Sequence, residues 1–333
     1  MYKRQQSKTW KRVGLGTLTL ASTTLLMACG NKAASTDNKN EINWYTPTEI
    51  ITLDVSKNTD RYSSLAIGNS GSNLLRVDAK GKLQPDLAEK VDVSEDGLTY
   101  TATLRDGLKW SDGSDLTAED FVYTWKRMVD PATASEYAYL ATESHLKNAA
   151  DINAGKNTDL NSLGVKAEGN KVIFTLTEPA PQFKSLLSFS NFVPQKESFV
   201  KAAGKDYGTS SEKQLYSGPY TVKDWNGTSG TFKLVKNKNY WDAKNVKTQT
   251  VKVQTVKKPD TAVQMYKQGK LDFANISGTS AIYNANKKNK DVIPVLEATT
   301  AYMVYNQTGS VEALSNLKIR QALNLATDRK GIV

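Results

Sequence analysis

The 333-residue chain contains one cysteine, Cys29, and one histidine, His145. A single cysteine rules out any intramolecular disulfide framework. The pair together exclude a zinc finger, an HExxH metalloprotease and a Cys-Cys redox centre, so no metal or other cofactor is expected. No GxxxxGK(S/T) phosphate loop occurs, which leaves any ATP chemistry to a partner. A Ser-His-Asp enzyme would depend on His145 as its only histidine base, and that residue lies beside an acid but in no recognisable nucleophile motif. Composition is otherwise ordinary: 39% hydrophobic and 23% charged residues fit a globular chain, and the length suits two domains.

There is little net charge once the leader is set aside. Lysine and arginine number 44 against 34 acids, but residues 1–29 hold five bases and no acid. The remaining 39 bases face 34 acids, a surplus of five scattered along the chain, which is a weak case for nucleic acid.

Five basic residues (Lys3, Arg4, Lys8, Lys11, Arg12) precede Val13–Ala28, an uncharged and mostly apolar or small stretch. This order predicts a secretory signal over residues 1–29. As a helix the 16-residue stretch would reach about 24 Å, short of a hydrocarbon core of roughly 30 Å, which argues against a permanent span. Residues 30–40 are polar and small, the composition of a flexible tether.

Beyond the tether, Asn43–Leu53 reads as a strand interrupted at Pro47, and Pro85–Glu89 as a turn entering a short helix. Leu98, Tyr100, Ala102 and Leu104 alternate with threonines, which predicts a half-buried strand. Thr117 opens a helix carrying Phe121, Val122, Trp125, Met128 and Val129 at helical spacing, ended by Asp130-Pro131. Glu119 and Asp120 read either as a carboxylate pair or as acids complementing the helix dipole, with the second favoured. Further strands are predicted at 172–176, 220–222, 232–235, 251–256, 271–273 and 302–305. Helices are predicted from Asp260, as cap, to Gln268 and over Leu317–Ala326, the latter with Ile319, Ala322, Leu323 and Ala326 facing inward. The class is α/β or α+β, without repeats.

Leu26-Met27-Ala28-Cys29 resembles the lipobox of bacterial lipoproteins, although methionine stands where a small residue is usual. The resemblance implies cleavage before Cys29, a diacylglyceryl thioether on it and, in some bacteria, acylation of the new terminus. The alternative is a cysteine that happens to lie near an ordinary cleavage site. Ser94–Tyr137, Ser217–Trp225, Lys236–Asp242 with Gln268–Phe273, and Leu317–Arg329 resemble, in order, the oligopeptide-binding lipoproteins of bacterial ABC importers, extracellular solute-binding protein family 5.

That resemblance implies an α/β fold of the two-lobed, type II periplasmic-binding-protein kind. The first lobe would be discontinuous (41–71 and 195–297), with an extra subdomain at 72–194 and a second lobe opening at 298–333. Thr327–Lys330 reads as the start of a helix three residues from the end, so the second lobe is expected to be incomplete. The function implied is capture of oligopeptides in an interlobe cleft and delivery to a permease with separate ATPase subunits. The protein would be a monomer, anchored by Cys29 on the outer face of the cell membrane of a Gram-positive bacterium. Asn58–Tyr62 matches the family's backbone-pairing stretch, which implies ligand contacts at Thr59, Asp60, Arg61 and Tyr62; Tyr137 and Tyr302 match cleft tyrosines. Surface charge for Asp60 and Arg61, and ordinary packing for the tyrosines, are the competing readings. A carbohydrate- or other-solute-binding lipoprotein of the same fold, a non-transporting remnant and, more remotely, a secreted hydrolase are the rival functions.

Overall fold

The computed structural model describes residues 40–277, 279–295, 300 and 302–332. The leader, the tether up to residue 39 and Cys29 lie outside the described residues. The chain divides into two compact units, one ending at Tyr283 and one beginning at Asn284.

The first unit contains two four-stranded sheets, each with its own hydrophobic core. One sheet has β1 (Glu41–Thr46) parallel to β10 (Thr250–Thr255), followed by β9 (Thr231–Lys236) and β8 (Tyr220–Lys223) in antiparallel register. Alternation decides its faces. Val222, Phe232, Leu234 and Val253 are buried with Ala66 and Ile67 of helix α1 (Arg61–Ser70), while Lys233 and Lys252 on the opposite face are exposed.

The second sheet is antiparallel throughout, in the order β4 (Ala88–Val93), β5 (Thr99–Leu104), β7 (Lys171–Thr175), β6 (Val165–Glu168). A two-stranded ribbon of β2 (Leu75–Val77) and β3 (Leu83–Pro85) precedes it. The long amphipathic helix α2 (Ala118–Val129) shares the core of this sheet, burying Phe121, Trp125, Met128 and Val129 completely. The Trp125 ring stacks on Phe192 with centroids 3.9 Å apart and meets Phe174 edge-on at 5.1 Å. At the start of α2, the Asp120 carboxylate accepts from the Thr117 N–H (2.9 Å) and the Trp110 indole N–H (3.1 Å). Burial raises its pKa, so Asp120 serves as a buried cap and tryptophan acceptor.

Several local expectations change. Pro85–Glu89 opens no helix: the N–H groups of Asp86, Leu87 and Ala88 donate to the carbonyls of Asn73 and Leu74, and the chain runs from β3 into β4. Pro259 takes the first helical position of Pro259–Lys267, leaving Asp260 one residue inside rather than at the cap. Leu271–Phe273 forms no ladder. Instead Asp272 exchanges hydrogen bonds with the Asn43 backbone, and Phe273 stacks on Trp44 at 4.0 Å. Tyr302–Tyr305 is likewise not a strand. In the second unit, Leu317–Ala326 is a helix, but Ile319 and Leu323 are 39% and 42% exposed, because the described residues there include no sheet for them to cover.

Two polar clusters join the cores of the first unit. Arg127, on α2, makes a bidentate pair with Asp54 (2.6 and 2.7 Å) and donates to Gln195 Oε1 at 2.7 Å. Gln195 donates in turn to Ser56 Oγ at 2.9 Å. The pair is 13% and 5% exposed; burial opposes the guanidinium charge, but Asp54 outweighs it and holds the arginine pKa above its usual value. Close approach is required here: a Cβ on Gly208 (φ +71°) would fall 2.2 Å from the Asp54 nitrogen. The second cluster is Asp86, whose carboxylate accepts from the Trp241 indole (2.9 Å) and the Tyr240 hydroxyl (3.1 Å), with Arg105 stacked over Trp241 at 3.9 Å.

Asp54→Ala strands a buried guanidinium and should cost about 3–5 kcal/mol by chemical denaturation, with much of it recovered in Asp54→Leu combined with Arg127→Met. A loss below about 1 kcal/mol would remove the pair from its structural role. Asp86 behaves differently with pH. Burial raises its pKa above 3.8, so its contribution is fullest below that value and is lost as pH rises through the folded pKa. Asp86→Asn keeps an acceptor for Trp241 and Tyr240 without the charge. Its stability relative to wild type should therefore climb as pH rises across that window, and a pH-independent difference would contradict the assignment.

Candidate functional site

The stretch leading into α1 is a loop whose conformation is held from two sides. Asn191 donates its side-chain amide to the carbonyls of Val55 (3.1 Å) and Asn58 (2.8 Å). Asn58 is buried and donates to Ser64 Oγ at 2.7 Å. Asp60 is the N-cap of α1, one carboxylate oxygen accepting from the N–H groups of Tyr62 (2.9 Å) and Ser63 (2.8 Å). Tyr62 is half-buried against the first core, and Arg61 is exposed.

Thr59, between these fixed points, is exposed, and neither its N–H nor its C=O has a hydrogen-bond partner among the described residues. The local result is a backbone fixed on both sides of an exposed residue whose own donor and acceptor are unused among the described residues. Asp60 could still meet a ligand through its second carboxylate oxygen, but its first duty is to the helix.

Tyr137 is half-buried and packs its ring 5.7 Å from Phe189 and 6.1 Å from Tyr139, which is 52% exposed. Phe189 lies two residues before Asn191. A single short stretch, Phe189–Asn191, thus reaches the Asn58 loop through one side chain and the Tyr137 aromatic cluster through another. Tyr302 is 80% exposed and belongs to the second unit, and Cys29 is not among the described residues.

Sequence reasoning missed Phe189, Asn191, Tyr139 and the Arg127–Asp54 pair. The signals were faint: an asparagine between two phenylalanines at 189–192, and an arginine placed just ahead of the buried Met128. A surface groove of about 710 Å³ lies elsewhere, along α2, and is lined by Tyr123, Lys126, Lys196 and Glu197 among others. Among the described residues no cluster of acids, histidine or cysteine could hold a metal, and no helix is long and apolar enough to cross a membrane.

Residues 82–333 match the family model for bacterial extracellular solute-binding proteins, family 5. The chain is 45% identical to a dipeptide-binding protein of Lactococcus lactis, over 97% of this chain and 60% of that protein. It is 32% identical to the oligopeptide-binding protein OppA of Bacillus subtilis, again over 97% and 60%. It therefore spans about 60% of the length of these relatives. Among solved structures, the pheromone receptor PrgZ, described with its mode of peptide binding, superposes with a TM-score of 0.82 at 36% identity, covering 88% of this chain and 58% of the receptor. OppA of Listeria monocytogenes bound to peptide gives 0.73 at 34% identity, covering 76% of this chain and 49% of that one. The mixed α/β architecture is that of the type II binding-protein fold these structures share. On the extent of these matches, the chain belongs to the bacterial extracellular solute-binding proteins, family 5.

Proposed function

We propose that the protein captures oligopeptides outside the cell and hands them to an ABC importer whose permease and ATPase are separate subunits. The observation that carries this reading is Thr59: an exposed residue whose N–H and C=O have no partner among the described residues, in a loop clamped by Asn191 and the Asp60 cap. A peptide of arbitrary sequence has one constant feature, its extended backbone. Pairing with it as an added strand contributes about 0.5–1.5 kcal/mol per hydrogen bond while leaving side chains unconstrained. Tyr137 with Tyr139 and Phe189 supplies an aromatic cluster for such a strand to pack against, with little rotamer entropy to lose. The peptide-binding relatives named above support the same ligand class.

In this reading, 41–71 and 195–297 form the first lobe and 72–194 the extra subdomain. The two separate cores support that division. Tyr302 is assigned to the second lobe. Ligand contacts made by both lobes exist only in the shut form, so peptide shifts the open–closed equilibrium and marks the loaded receptor for docking. Cys29 carries the lipid that holds the protein, as a monomer, at the membrane surface, the sequence Leu-Met-Ala-Cys being the support for it.

Isothermal calorimetry with a mixed pool of short peptides and a panel of sugars tests the ligand class. Heat is expected from peptide; heat from sugar alone would overturn the proposal. Because the backbone of Thr59 does the pairing, Thr59→Ala should leave peptide affinity within about twofold, whereas Tyr137→Ala should weaken it about tenfold.

A further inference from the structure

The small charge surplus of the exported part is not scattered. Residues 41–219 carry 19 bases and 25 acids, whereas residues 220–258 carry nine lysines and two aspartates. These lysines fall into groups with different surroundings. On the outer face of the first sheet, Lys252 lies opposite Lys233, and Lys233 opposite Lys223. Like charges so placed repel. The fold answers with Glu41 on Lys252 (2.6 Å) and Asp224 on Lys233 (2.7 Å). The connection from β9 to β10 is treated otherwise: Lys238, Lys244 and Lys247 are exposed and Lys236 half-buried, and among the described residues none of the four has a carboxylate partner. Asp242, the one acid in that connection, accepts from the Asn245 amide at 2.6 Å.

The position of these four lysines is informative. β1 and β10 run parallel and β9 antiparallel to both, so the connection lies at the end of the sheet where β1 begins. The contact is direct: the Asn40 carbonyl accepts from the N–H groups of Gln249 (2.8 Å) and Thr250 (3.1 Å). Asn40 is where the tether enters the folded body, and the tether adds Lys32 and Lys39 against Asp37. Asn40 lies eleven positions after Cys29, a reach of at most about 40 Å.

We infer that this end of the first sheet, with Lys236, Lys238, Lys244 and Lys247, rests on the anionic lipid surface of the membrane. The inference takes its geometry from the reading that Cys29 is the lipid-bearing residue, which keeps the patch within tether length of the bilayer. Unpaired lysines beside a negatively charged leaflet gain several-fold in affinity each, within a Debye length of the headgroups. Residues 41–219, with six more acids than bases, are repelled by the same surface. The contact therefore orients the receptor as well as holding it.

The test uses the full chain carrying Cys29→Ser, so that failure of the lipid-anchor reading does not touch the result. Its binding to vesicles of phosphatidylglycerol mixed with phosphatidylcholine is compared with binding to phosphatidylcholine alone, by co-sedimentation at low ionic strength. The leader's five bases also favour anionic vesicles, so the deciding readout is the comparison between two lysine variants that share that leader. Tighter binding to the anionic vesicles, reversed by salt, is expected for the unmodified patch. Changing the four lysines to glutamine should weaken it on the order of a hundredfold. Changing four exposed lysines elsewhere (Lys80, Lys82, Lys156 and Lys171) to glutamine removes the same net charge and should weaken it less than about threefold. Equal losses in the two variants, or no preference for phosphatidylglycerol, would overturn the inference.

Discussion

The bidentate pair between Arg127 and Asp54 is the contact on which the rest of the first unit depends. It is the point where the helix of one core reaches the loop of the other, and both partners are largely removed from water. A buried pair of this kind is not a large net source of stability, because desolvation offsets much of the attraction. Its consequence is specificity of position: only one arrangement of α2 against residues 54–56 satisfies Arg127, Asp54, Gln195 and Ser56 together. Asn191 then carries the constraint to Asn58, and the Asp60 cap carries it into α1. Thr59 is exposed but not loose, because everything on either side of it is bonded.

This arrangement divides labour between side chains and main chain. Side chains of Asn191, Asp60 and Asn58 are spent on holding the loop, while the N–H and C=O of exposed Thr59 have no partner among the described residues. A receptor for varied peptides needs that division, since a side-chain contact would select for sequence and a backbone contact does not. The aromatic cluster at Tyr137, Tyr139 and Phe189 adds area rather than pattern, with Tyr139 remaining half-exposed.

Much of this fold could be read from the residues. Alternation over 98–104 marked β5, and the stripe Phe121–Trp125–Met128 marked the buried face of α2. Those signals are local, and local periodicity survives into the structure because each element buries one face. The misreadings share a different cause. Pro85–Glu89 resembles a helix start, yet its amides are claimed by Asn73 and Leu74; Leu271–Phe273 has a strand's composition, yet among the described residues only Asp272 makes a backbone–backbone hydrogen bond to β1. Arg127 and Asp54 are 73 residues apart, and Asn191 is 133 from Asn58, distances over which no spacing rule operates. The lysine cluster at 220–258 was visible in the sequence but was averaged away by counting charge over the whole exported part.

Hydrogen exchange of the Thr59 amide, with and without short peptides, addresses the central claim most directly. If the loop is a preformed pairing edge, peptide should slow exchange at Thr59, while amides already bonded in α1 change little. Unchanged exchange at Thr59 in the presence of bound peptide would mean that the ligand is held elsewhere, and the account would be wrong.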